Sequence, residues 1–274
     1  MSVSRRFASD VAHPFHGVSV FGDPPSDVLG RCRALAPVME PGQFFSHVTA
    51  AALWGMWVDI LPHIPLDVSV LAPRTPPRRR GVRGRQVSNV SIAEHAGLSL
   101  VSPADCWRML ASMLPFTSLV AAGDALLGSD HRIARATLDD LAAGIRRHAG
   151  KPGHGAAVRA YRLIRAGVES PPETALRLAI LDSGLPEPAV APSIETGGRL
   201  VLHPDLAYRS ERVAIEYEGD GHRTSRIQWF RDIERVELLQ DLGWRVVRVT
   251  HEDLTVRRQL LIRRIASALS RESR

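Results

Sequence analysis

Apolar positions along the chain follow two rhythms, one of period two and one near 3.6 residues, and the places where one gives way to the other mark its elements. Leu66 to Leu71 alternates and reads as a strand. Leu200 to Tyr208 and Val213 to Glu218 alternate as well, with Arg209, Ser210, Glu211 and Arg212 as a polar turn between them. If Tyr208 faces Val213 across that turn, counting back sets Asp205 opposite Glu216, and Glu218 follows on the same face. The other face carries Leu200, Leu202, Leu206, Tyr208, Val213, Ile215 and Tyr217 as a core-facing set. The acidic face is therefore expected at a surface.

The helical rhythm predicts Ser26 to Leu35 and then Ser46 to Gly55, with Ser46 as N-cap and the glycine as stop. Further helices are expected at Ser102 to Leu114, Leu119 to Leu127, Thr137 to Ile145 and Ala156 to Ala166. Ser170 begins another: proline occupies its first turn, Glu173 stands three residues after the cap, and Gly184 and Pro186 end it. Thr224 to Leu242 places Trp229, Ile233, Val236 and Leu239 on one stripe. Trp244 to Val249 reads as a strand and Leu254 to Leu269 as an amphipathic helix.

A glycine-containing break at Lys151 to Gly155 suggests a boundary, with a mostly helical α+β domain over 1–150 and a mixed α/β domain over 151–274. The chain of 274 residues has room for two cores, and its 45% apolar content is ordinary for a globular protein. Cys32 and Cys106 lie far apart without metal spacing, which fits reduced thiols. No run of about eighteen apolar residues offers a membrane span, and Arg5 and Arg6 precede no apolar stretch of the signal-peptide kind. The expected setting is the cytoplasm, with no membrane partner.

Of 35 basic residues all but Lys151 are arginine, and the net charge of +6 favours a polyanionic partner weakly. Six of those arginines fall in the twelve residues from Arg74 to Arg85, broken by prolines and glycines. This composition predicts an exposed loop or hairpin arm, in which Arg78, Arg79, Arg80, Arg83 and Arg85 could contact phosphates or simply be solvated.

Carboxylates at cross-strand distance repel, and the usual resolutions are a raised pKa, an arginine partner or a divalent cation. Asp205, Glu216 and Glu218 present hard oxygen donors suited to magnesium or manganese, although outward carboxylates are also commonly solvated or neutralised by nearby arginines. Pro204 and the Gly219, Asp220, Gly221 run interrupt regular pairing at both ends of the cluster, which favours a site.

Pro204-Asp205, Glu216-Tyr217-Glu218-Gly219, His222, Gln228-Trp229, Asp232, Arg235 and Gly243 to Val249 together resemble the nuclease-like domain related to very-short-patch-repair endonucleases. That group belongs to the PD-(D/E)XK superfamily, and the resemblance runs from about Ser170 to the C-terminus. It implies a restriction-endonuclease-like core, a central mixed sheet flanked by helices, and metal-dependent phosphodiester hydrolysis, most simply of DNA. On this resemblance Asp205 and Glu216 would hold Mg2+ or Mn2+. Glu218 stands where the superfamily pattern has lysine and would ligate a second metal or act as base. His222 becomes the general acid or base, and Gln228 and Arg231 would orient water or a phosphate. Glu173 matches, by order along the chain, an acidic helix residue near the metals, while its capping function explains it without any chemistry. Many nucleases of this fold act as homodimers. The HVTAAALWG stretch, the arginine-rich segment and the SPAD helix are similar, more weakly, to AbiEi-type antitoxins, so a nucleic-acid-binding regulator is the alternative.

Overall fold

The computed structural model describes residues 10–129, 134–197, 201–219 and 226–270, with side chains from 234 onward in the last segment. The chain divides into two compact units, one of Met1–Leu126 with Ala134–Ile164 and one of Leu127–Ile133 with Arg165–Arg274.

Unit 1 opens with a short ribbon, Val11–Ala12 (β1) against Val20–Phe21 (β2), and the helix Val28–Leu35 (α1), capped by Asp27. Its sheet is built from Gln43–Phe45 (β3), Leu66–Leu71 (β4), Val82–Val87 (β5), Ile92–His95 (β6) and Leu98–Val101 (β7), in the order β5-β4-β3-β7-β6. β4 has the limits its alternation predicts. Both of its faces are nevertheless buried, Asp67 and Ser69 included. The helix His47–Leu53 (α2) follows β3. Ser46 holds the expected N-cap position but makes no capping bond; its hydroxyl turns to Ser69 and His47.

The helices Pro103–Leu110 (α3), Phe116–Leu127 (α4), Leu138–Arg147 (α5) and His154–Tyr161 (α6) follow. Caps start two of them. Ser102 accepts from the Asp105 N–H, and Thr137 forms a reciprocal box with Asp140.

The boundary expected at 150/151 is displaced to 164/165. The glycine-containing stretch is a tight turn clamped onto α3, not a linker: Arg108 donates to the Pro152 carbonyl at 2.9 Å, and a Cβ on Gly153 would lie 2.6 Å from the Ala111 backbone. Gly153 also has φ +81°, a conformation that favours glycine.

Unit 2 is mixed α/β. It runs Pro171–Asp182 (α7), Ala189–Val190 (β8), Ile194–Glu195 (β9), Val201–Leu202 (β10), Leu206–Tyr208 (β11), Val213–Glu218 (β12), Arg226–Asp241 (α8), Arg245–Thr250 (β13), His251–Thr255 (α9) and Arg258–Ser270 (α10). The principal sheet has the order β13-β12-β11-β8, with β12 and β13 parallel and the other pairs antiparallel. Helices cover both faces. Leu176 and Ile180 of α7 and Leu261 and Ile265 of α10 pack with Leu206, Tyr208, Val213, Ile215, Val247 and Val249. Leu239 of α8 packs with Ala214, Leu202 and Ile194 on the reverse side. Fully burying one such leucine or isoleucine contributes about 1.5–3 kcal/mol.

Two expectations are corrected here. The strand Leu200 to Tyr208 is not continuous: β10 pairs with β9 in a separate ribbon, and β11 begins after Pro204, which has no N–H to offer a ladder. Leu202 consequently belongs to the cluster on the reverse face, and Leu200 lies outside the described residues. The helix expected over Leu254 to Leu269 is two, because Thr250 and Asp253 close a capping box that starts α9 and α10 begins separately at Arg258. Among the described residues no helix is long and apolar enough to cross a membrane.

Candidate functional site

The register of β11 and β12 is the one predicted: Tyr208 faces Val213, Ala207 faces Ala214 and Leu206 faces Ile215. Asp205 leaves the ladder one residue before β11, and its Oδ2 accepts the Tyr217 N–H at 2.7 Å. That bond takes the place of a strand pairing and holds Asp205 beside Glu216. The interruption foreseen around Pro204 thus redirects a carboxylate to a backbone amide.

Glu216, at the centre of the acidic side, does not lie at a surface. β12 is an interior strand between β11 and β13, so the residues alternating away from one core face a second one under α8. Glu216 is 4% exposed in consequence. Its Oε2 accepts from the Arg235 guanidinium of α8 at 2.6 Å. A buried carboxylate needs such a partner, because the unpaired charge would cost several kcal/mol. Two residues on, Glu218 is half-buried and paired with Arg248 of β13. Arginines have therefore answered the repulsion at both glutamates.

Glu173 reaches the same neighbourhood from α7. It is buried, and its carboxyl accepts the Glu169 N–H at 2.9 Å and the Ser170 hydroxyl at 2.7 Å. The capping box is modified: Ser170 donates to Glu173 and makes no capping bond to the helix, and Glu173 bonds the amide preceding the cap. Burial pushes the Glu173 pKa up to about 7 against the lowering effect of those two bonds, and the negative charge of Asp205 adds to the rise. Glu173 and Asp205 are thus close enough to sense each other's charge. This coupling exceeds what capping alone requires.

Asp205, just before β11, and Glu216 on β12 supply hard oxygen donors, which fits magnesium or manganese in chemistry. One oxygen of each already has a protein partner, and among the described residues no three His, Cys, Asp or Glu side chains gather as a metal cluster. The expected third ligand, Glu218, turns to Arg248 instead. A divalent ion at Asp205 and Glu216 would compete with Arg235 for the Glu216 carboxylate. His222 lies outside the described residues, and Gln228 and Arg231 are placed on α8 without described side chains. Arg235 and Arg248 were not candidates on sequence. The spacing of Arg235 from Arg231 along α8 marks a polar stripe, but its carboxylate is 19 residues distant in the chain.

The arginine-rich segment is more divided than its composition implies. Arg78 and Arg80 are exposed, as a phosphate-contacting arm would need. Arg79 donates to the carbonyls of His16 and Val38 and so serves the fold. Arg83 and Arg85 are on β5, not in a loop, and they flank the buried Asp67 at 3.7 and 3.0 Å. Pro77 packs so closely over that strand that a Cβ on Gly84 would meet its carbonyl oxygen at 2.0 Å. The same charges bear on His47, whose ring is held neutral with a pKa lowered to about 3, first by burial and then by Arg85 and Arg83.

No protein-family model matches the chain, and no solved structure does. Two uncharacterized proteins of Mycobacterium tuberculosis, from the CDC 1551 and H37Rv strains, are each 29% identical to it over 265 residues. The alignments cover 94% of this chain and 92% of each relative, so the similarity extends through both units.

Proposed function

We propose that unit 2 is a PD-(D/E)XK-type nuclease domain that hydrolyses phosphodiester bonds of nucleic acid, DNA in the first instance, with Mg2+ or Mn2+. The observation that carries this reading is the anchoring of Asp205 on the Tyr217 amide, next in β12 to the buried Glu216, with the buried Glu173 of α7 sensing the charge of Asp205. A carboxyl whose pKa is raised by burial beside another acid is costly to a fold and is often kept for chemistry.

In this reading Asp205, held by the Tyr217 amide, and Glu216 on β12 would hold the cation. The bound metal would polarise the scissile phosphate and lower the pKa of the attacking water. Glu173, with a pKa near 7, can hold or release a proton at its carboxyl beside Asp205. His222 is the proposed general acid or base, and Gln228 and Arg231 the residues orienting water or phosphate. Glu218 remains engaged with Arg248 and is the weakest of the proposed ligands. Arg78 and Arg80 would contribute sequence-independent phosphate contacts, with Arg83 and Arg85 reaching phosphate only at the expense of Asp67. Cutting both strands of a duplex would call for a homodimer.

One observation favours the second reading, a nucleic-acid-binding regulator on a non-catalytic scaffold: arginines already neutralise Glu216 and Glu218. The two separate by cleavage of single-stranded, duplex, mismatched and branched DNA with Mn2+, comparing wild type with Asp205→Asn and Glu216→Gln. Cutting by wild type alone supports the nuclease. Equal inactivity of all three, with equal salt-sensitive binding, supports the regulator.

A further inference from the structure

Glu216 and Arg235 are unequal partners. The carboxylate is on an interior strand at 4% exposure, whereas the Arg235 side chain, which reaches it from α8, is 38% exposed. Were the pair to open, the arginine would be the one to move, since its long side chain can swing outward from the helix surface. Asp205 is tied to a backbone amide of the same strand that carries Glu216. Both carboxylates are thus anchored through β12, and the positive charge on Glu216 is carried by a side chain with room to swing outward. A dication taken up by those oxygens would face a guanidinium hydrogen-bonded to one of them, and like charges at contact range repel strongly in a half-buried setting. The released guanidinium would offer paired donors to any phosphate oxygen brought near the cation.

We propose that Arg235 is a displaceable counter-ion, which neutralises Glu216 in the metal-free protein, gives way when Asp205 and Glu216 take a divalent cation, and then binds the phosphodiester. The proposal rests on the metal-dependent reading above and adds a residue and an order of events to it. It also gives the arginine pair at Glu216 a place in a working site. Arg248 has no equivalent role, because its partner Glu218 is itself substantially exposed and the pair is a surface one.

The test uses the full-length chain and Mn2+ itself, with free Mn2+ followed by electron paramagnetic resonance for wild type, Arg235→Met, Arg235→Lys and Glu216→Gln. Removing the competing charge should tighten Mn2+ binding by roughly tenfold in Arg235→Met, and Arg235→Lys should stay near wild type. The affinity of the Mn2+-loaded Met variant for a hydrolysis-resistant duplex should fall, also by roughly tenfold. Unchanged or weaker Mn2+ binding in Arg235→Met, with binding present in wild type and lost in Glu216→Gln, overturns the counter-ion and leaves the metal site standing. Absence of Mn2+ binding from both wild type and Arg235→Met overturns the metal reading, and the proposal with it. Should Arg235→Met fail to fold, wild type suffices: Mn2+ should raise phenylglyoxal modification of Arg235 severalfold in mapped peptides, and an unchanged yield overturns the proposal.

Discussion

Replacing Glu173 by glutamine tests the electrostatics of the site without touching its proposed ligands. The folded carboxyl titrates at about 7 against an ordinary 4.5. Between those values the folded chain keeps a proton that the unfolded chain has released, so the group's contribution to stability declines as pH rises from 4.5 to about 7 and is level above. That displacement corresponds to about 3 kcal/mol at full ionisation, an upper figure for a group 8% exposed. Glutamine cannot ionise, but its amide nitrogen or oxygen must replace a carboxyl that accepts from both Glu169 and Ser170, and losing one such bond costs about 1 kcal/mol. The variant should therefore be about as stable as wild type at pH 5, where roughly 1 kcal/mol of the wild-type contribution has already gone and offsets the lost bond, and more stable by about 2 kcal/mol at pH 8. Urea unfolding of both proteins in EDTA at pH 5, 6, 7 and 8 measures the difference, in which other titrating groups cancel. A difference that does not change with pH would refute the account of Glu173 as a carboxylate destabilised by burial and by Asp205.

The arginine-rich segment should separate into two kinds of residue: Arg78→Ala and Arg80→Ala should each weaken DNA binding and reduce the salt slope by roughly one without lowering the melting temperature. Arg85→Ala should instead destabilise unit 1 by about 1–3 kcal/mol in thermal or urea unfolding, since Asp67 is 1% exposed and is left with the more distant Arg83 as its charged partner among the described residues. His47, neutral in the fold down to about pH 3, contributes stability that is complete above its ordinary value of 6.5 and is lost as pH falls below it. His47→Asn, which tolerates the positive φ of 48° there, should flatten the acid limb of the stability profile. Leu239→Ala should cost about 2–5 kcal/mol in urea unfolding, because the side chain is fully buried in the cluster that seals the Glu216 face.

Local pattern alone determined a good deal of this protein. The alternation of Leu66 to Leu71 gave the limits of β4, and the polar turn before Val213 gave the register that brings Asp205 to Glu216. The proline and glutamate after Ser170 located the start of α7, because first-turn chemistry is read within four residues. Tertiary structure decided what covered each face. Alternation says that Glu216 points away from Ile215, but only the packing of α8 over an interior strand makes that direction a second core and turns a surface carboxylate into a buried one. Its partner Arg235 is 19 residues away and the partner of Glu218 is 30 away, separations at which sequence spacing carries no geometric information. The same holds for Arg79, which composition groups with its exposed neighbours and the fold assigns to two carbonyls 63 and 41 residues distant. Periodicity specifies the direction of a side chain from its own backbone; what it meets there depends on elements that join it only when the chain has folded.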